Sequence, residues 1–124
     1  MLKKFTISYR DDNEIVSTSI QADVVQTKPF GLFVLNTKKN TERFFSNRLW
    51  TQVEFGTYQK INPKYKVTID SKEYIVSAIE FDASGTLTLS VFKETKSADA
   101  VTRDNQWMLI MAPGTFDYVQ TSKL

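Results

Sequence analysis

Chemistry in this chain would have to come from its carboxylates, because the sequence contains no His and no Cys. Loss of His removes the commonest general acid/base and the imidazole metal ligand. Loss of Cys removes thiol nucleophiles, thiolate metal sites and disulfides. Ser-His-Asp and Cys-His arrangements cannot be assembled. Asp11, Asp12 and Glu14 do cluster. A calcium loop, however, requires Gly at its sixth position, and the sixth residue from Asp11 is Val16. The cluster reads as a solvated turn. Glu73, Glu80 and Asp82 offer no acid/base pair that spacing establishes. Phosphate-cradling loops need closely spaced glycines. The four present, Gly31, Gly56, Gly85 and Gly114, all lie far apart. The expectation is a protein without enzyme activity, metal or cofactor.

Aromatic residues are the second candidate, at 9 Phe, 5 Tyr and 2 Trp. Several adjoin basic residues, as in Arg43-Phe44-Phe45, Arg48-Leu49-Trp50 and Lys64-Tyr65-Lys66. Base-stacking rings beside cations are the composition of single-stranded nucleic-acid binders, and Phe33, Phe44, Trp50 and Tyr58, or a similar set, would line the groove. Most aromatics nevertheless occupy the inward phase of alternating runs, where they fill a core. Sixteen basic against fourteen acidic side chains leave a net charge of only +2, so bulk charge argues for no polyanionic partner.

The elements that must position these residues repeat with a period of two, the strand signature. Phe5, Ile7 and Tyr9 alternate with polar residues, as do Ile20, Ala22 and Val24 in a run over 14–26. Residues 31–35 form a short apolar run of the doubly buried kind, followed by a polar loop over 36–41. Phe44, Phe45, Leu49 and Trp50 fall near helical spacing, so 42–50 is the one place for a short helix. Strands return at 53–55, 65–69, 74–81 and 87–91, separated by Asn62-Pro63, Asp70-Ser71 and Asp82-Ala83-Ser84-Gly85. Gly85 sits where a left-handed residue closes the turn. Val67, Ile69, Ile75, Ile79, Leu87 and Leu89 are expected in one buried cluster, with Tyr74, Val76 and Ala78 in the opposite phase. Residues 93–105 read as a polar linker, and Trp107 to Met111 as an apolar segment followed by a last strand around Phe116 and Tyr118.

These patterns predict an all-β protein, a small antiparallel barrel or sandwich with at most one short helix. At 124 residues and 41% hydrophobic, one core burying about two thirds of the unfolded surface is sustainable. Residues 1–95 would form the β domain and 96–124 a C-terminal arm or added hairpin. No apolar stretch is long enough to span a membrane. The first residues lack the apolar core of an export signal, the pattern of a chain retained in the cell or carried in a particle.

Residues 50–94 resemble the C-terminal half of the tailed-phage head–tail joining, or head-closure, proteins. Gln52 to Tyr58 matches that family's strand, Lys60-Ile61-Asn62-Pro63 its connector, and Tyr65-Lys66-Val67-Thr68-Ile69 the next strand. Glu73 to Ile79 and Thr86 to Lys93 match its closing hairpin, and Ala22-Asp23-Val24 an earlier strand end. The resemblance implies a structural virion protein assembled in the host cytoplasm. It would form a homo-oligomeric ring with other connector and tail proteins, with a loop that contacts packaged DNA. Lys28, Lys38, Lys39, Asn40 and Arg43, in the stretch 28–43, are the candidate channel or partner loop. Trp107, Met108, Leu109, Ile110, Met111, Phe116 and Tyr118 are the candidate interface arm, since five consecutive apolar residues invite strand addition to a neighbour. The alternatives are a single-stranded nucleic-acid-binding domain of the OB type and a capsid decoration protein.

Overall fold

The computed structural model describes residues 2–57, 62–96 and 101–124, with backbone alone at 57, 93–96 and 101–106. Eleven strands and no helix are found among the described residues: β1 Lys3–Asp11, β2 Glu14–Ala22, β3 Val24–Lys28, β4 Gly31–Asn36, β5 Thr41–Ser46, β6 Trp50–Thr57, β7 Tyr65–Ile69, β8 Lys72–Phe81, β9 Leu87–Lys96, β10 Val101–Met111 and β11 Val119–Lys123. Eight of them form one antiparallel sheet in the order β11-β7-β8-β9-β10-β6-β1-β2, and β3-β4-β5 form a second. The architecture is sandwich-like and the large sheet does not close into a barrel.

Local chemistry sets the tight turns. Asp70 and Ser71 take positive φ (47° and 79°) between the paired Ile69 and Lys72, the geometry of a two-residue hairpin whose twist suits its strands. Gly85, at φ 85°, closes the β8–β9 turn as expected. There Asp82 Oδ1 accepts the amides of Ser84 (2.9 Å) and Thr86 (3.1 Å). The Ser84 hydroxyl foremost, helped by the Thr86 and Ser84 amides and the Thr27 hydroxyl, holds the Asp82 carboxyl below its ordinary value against an opposing desolvation.

Two clusters fill the interior, and they lie on opposite faces of the large sheet. Phe5, Ile7, Trp50, Val53 and Ala112 meet Leu32 and Val34 of the small sheet. Val67, Ile69, Val76, Leu87, Leu89, Val91 and Leu109 form the other, with Phe116 and Val119 packed against it. Successive strand residues point to opposite faces, and β10 uses both. Leu109 enters the second cluster, while Ile110 and Ala112 belong with the first. The sheet changes its buried face at β10.

Several expectations give way here. The stretch 42–50 is not helical, because β5 pairs with β4 along its full length and the chain then turns with Leu49 N–H on the Ser46 carbonyl (2.9 Å). The run 14–26 is two strands, parted at Asp23. Residues 93–96 and 101–105 are not a linker but the paired ends of β9 and β10. The last strand begins at Val119, beyond Phe116 and Tyr118. Val67, Ile69, Leu87 and Leu89 are buried together, with Ile79 packed at their edge, but Val76 takes the place expected of Ile75. A bulge between Val76 and Ala78 is the cause, since one extra residue reverses the inward phase.

The C-terminal segment is likewise no appendage. β10 lies between β9 and β6, pairing with both, and β11 adds to β7. With Leu109 only 6% exposed, the segment from 101 onward is integral to the sheet of its own chain.

Candidate functional site

β4 is apolar in both phases, and the small sheet has one layer to pack against. Leu32 and Val34 point inward and are buried, with Phe45 and Val25 beside them. The other phase faces outward. Gln26, Phe33 and Phe44 form one cross-strand row on that face, flanked by the rows Val24–Leu35–Glu42 and Lys28–Gly31–Ser46. Phe30, in the turn between β3 and β4, adds a third ring.

The rings form one contiguous patch. The centroids of Phe33 and Phe44 are 4.9 Å apart, and Phe30 stands 6.2 Å from Phe33 and 6.1 Å from Phe44. Phe30 is 63% and Phe44 48% exposed, with Phe33 half-buried between them. Gly31 makes the arrangement possible. A Cβ there would lie 2.3 Å from Cε2 of Phe44 and 2.5 Å from the Phe45 carbonyl oxygen, so only glycine lets the Phe44 ring settle over β4.

Hydrogen bonds fix both ends of this face. At one end Asn47 donates its backbone N–H to the Phe30 carbonyl (3.3 Å) and its side-chain amide to the Pro29 carbonyl (2.8 Å). Its Oδ1 accepts the indole N–H of Trp50 (2.9 Å), so a core residue anchors the turn that carries Phe30. At the other end the Asp23 carboxylate accepts the Thr37 amide (2.9 Å) and the Thr37 hydroxyl. Those bonds, the hydroxyl's foremost, lower the Asp23 pKa. Asn36 Oδ1 accepts the Lys39 amide (3.1 Å), completing a rigid turn over 37–40.

Charge is distributed just as unevenly. Residues 24–49 carry five basic side chains, Lys28, Lys38, Lys39, Arg43 and Arg48, against one acidic, Glu42. The remaining 98 residues carry eleven basic and thirteen acidic. All five cations are exposed, and among the described residues none is within ion-pair distance of a carboxylate; the ion pair seen is Lys66–Glu73 at 3.0 Å. The near-neutral total conceals a net +4 over residues 24–49, or +3 once the Asp23 carboxylate at the 37–40 turn is counted.

The stretch 28–43 is therefore not one loop. Lys28 ends β3, Lys38, Lys39 and Asn40 form the β4–β5 turn at the opposite end of the sheet, and Arg43 lies on edge strand β5. Of the proposed arm, Leu109 is buried, Trp107, Met108, Ile110, Met111 and Phe116 are half-buried within the fold, and Tyr118 alone is well exposed. The supposed stacking set divides as well. Phe33 and Phe44 do share one face, Trp50 is 1% exposed in the core, and Tyr58 lies outside the described residues. Phe30 belongs to the patch and was missed because it sits in a turn, away from the alternating runs.

A hollow lined by Ser8, Arg10, Thr51, Gln52 and Thr115, among others, has its hydroxyls engaged. Ser8 is bonded to Ser17 (2.9 Å), Thr51 to the Ser8 carbonyl (3.1 Å) and Thr115 to the Ala112 carbonyl (2.7 Å). No group of three acidic side chains is placed to hold a metal among the described residues, and no helix among them is long and apolar enough to cross a membrane. No family model, curated protein or solved structure matches the chain.

Proposed function

We propose that this chain is a structural component of a tailed-phage particle, of the head–tail joining type, working as one copy in a ring and through surfaces instead of catalysis. The observation that carries this reading is the β9–β10 ribbon. The rungs that β9 shares with β8 end at Val91, and those that β10 shares with β6 end at Gln106. Past those points, among the described residues, the two strands pair only with each other, through Asn105↔Lys93 and Thr102↔Thr95 to Val101↔Lys96. A two-stranded ribbon running on from a rigid sandwich is a means of reaching a neighbouring subunit or a channel. Residues 93–105 carry three basic and three acidic side chains, a balance suited to protein neighbours. The outer strands β11 and β2 leave sheet edges that strand addition could use. Connector and tail proteins are the partners this reading requires, with packaged DNA reached by the 37–40 turn.

Native mass spectrometry tests the proposal. A closed oligomer, formed by the chain alone or on a phage portal–adaptor complex, is the expected result. A chain that stays monomeric in both settings overturns it.

A further inference from the structure

From the small sheet we infer that its outer face binds a single strand of DNA, with bases stacked on Phe30 and Phe44 and phosphates held by the surrounding cations. Three observations converge on this ligand. The first is the patch itself. Phe30, Phe33 and Phe44 lie in mutual contact on an exposed sheet face, held from below by Gly31 and from the side by Asn47. Unstacked bases bring large π surfaces and need no matching hydrogen bonds to settle on such rings. The second is the placing of charge. Lys28 and Arg48 flank the Phe30 end, Lys38 and Lys39 the opposite turn, and β4 between them is about 20 Å long at ~3.3 Å per residue. A phosphate backbone crossing the rings meets cations at both ends. The third is that these cations have no carboxylate partners among the described residues, so their full charge is available to a polyanion and counterion release follows.

A protein partner fits this face less well. The core of a protein interface is depleted of charge and closed by a mixed polar rim, whereas here four cations, Lys28, Lys38, Lys39 and Arg48, stand at the ends of the face against two carboxylates, Glu42 and Asp23. A duplex fits poorly too, because its bases are already stacked. Strand binding requires no ring, and a ring requires no strand binding, so each idea fails on its own experiment.

The test is fluorescence anisotropy of a labelled oligothymidylate of about 15 nucleotides, titrated with the full-length protein. Matched duplex and oligouridylate probes run beside it. The single DNA strand should bind more tightly than the duplex and at least as tightly as the RNA. The affinity should fall with salt along a log–log slope of about −2 to −3.5, as expected if three to five phosphates are neutralised. Phe44→Leu keeps an apolar cover over Gly31 but loses the π face, and should weaken binding about 5- to 150-fold. Phe44→Trp should retain binding, and Phe30→Ala, in an exposed turn, should weaken it with thermal unfolding unchanged. Equal affinity for duplex with no effect of Phe44→Leu would reduce the contact to charge attraction and overturn the inference, as would preference for the RNA. Self-association abolished by Phe44→Leu, without oligonucleotide binding, would assign the face to a second copy of the chain and equally overturn it.

Discussion

Replacing Gly31 with Ala probes the candidate face and the fold together. The added Cβ would meet Cε2 and Cζ of Phe44 at 2.3 and 2.6 Å and the Phe45 carbonyl oxygen at 2.5 Å. The Phe44 ring is half exposed and can swing aside. The Phe45 oxygen belongs to the β4–β5 ladder, where Leu32 pairs Phe45, and can move only by spreading the two strands. Inserting one carbon into such a site costs about 1–3 kcal/mol. Restricting the unfolded chain returns about 0.4–1 kcal/mol. The net is a loss of up to about 2.6 kcal/mol, about 1.3 kcal/mol at mid-range, or a melting temperature lower by about 5 °C for a chain of this length. Gly56→Ala is the internal control. Its Cβ would lie 3.9 Å from the Trp107 ring, an ordinary contact, so only the unfolded-state gain remains and stability should be unchanged or slightly higher. Urea unfolding, followed by the emission of buried Trp50, reads both variants with one slope. Adding Phe44→Leu to Gly31→Ala should recover only part of the loss, because the carbonyl contact persists. Gly31→Ala as stable as the parent, or Gly56→Ala the worse of the two, would refute the claim that glycine seats the ring.

Leu89→Ala should destabilise by about 2–5 kcal/mol from a fully buried site, and Ile75→Ala by clearly less, because the bulge turns Ile75 away from the cluster; reversal of that order in urea midpoints would refute the register. Asp82 has a folded pKa held below 3.8 by Ser84, Thr86 and Thr27, so its contribution is present above the ordinary carboxylate range and lost as pH falls through the folded value. Midpoints measured over a pH series should therefore show the parent's advantage over Asp82→Asn narrowing as the solution is acidified below pH ~4. A chain ending at residue 95 should fail to fold, since it lacks the central β10, whereas one ending at 118 should fold with reduced stability; cooperative melting of the 1–95 chain by circular dichroism would contradict this.

Much of the architecture was legible because it is written locally. Asp70-Ser71 and Gly85 announce their turns through backbone preference, and the alternation in β1, β7 and β9 fixes which residues are buried. What escaped was non-local. Nothing in Trp107 to Met111 indicates that it will lie between strands beginning at Trp50 and Leu87, so an apolar run near the C-terminus resembled an arm. The bulge at Ser77 has no glycine or proline to announce it, and it exchanges Ile75 for Val76 in the core. Around 42–50 the spacing of Phe44, Phe45, Leu49 and Trp50 imitates a helical face. The two phenylalanines actually point to opposite sides of β5, and Leu49 stands in a turn.

The candidate face was half visible for a different reason. An apolar run such as Gly31-Leu32-Phe33-Val34-Leu35 predicts burial on both sides, which is the correct inference when a sheet is covered by two layers. This small sheet is covered by one. Leu32 and Val34 satisfy the core, leaving Phe33 and its neighbours Phe30 and Phe44 as apolar area in excess of what the fold uses. Exposed rings in contact constitute a patch of the kind that marks interaction sites, whereas the same rings scattered would need no explanation. The signal therefore lies neither in the number of aromatics nor in their nearness to lysine and arginine along the chain. It lies in the mismatch between a strand apolar in both phases and a layer count of two. Charge sharpens it, because five of the cations in a nearly neutral chain fall in the segment that has the surplus rings. Ordinary core filling explains Trp50 and Phe5, and it leaves Phe30 and Phe44 unexplained; a ligand that supplies flat rings and negative charge accounts for both.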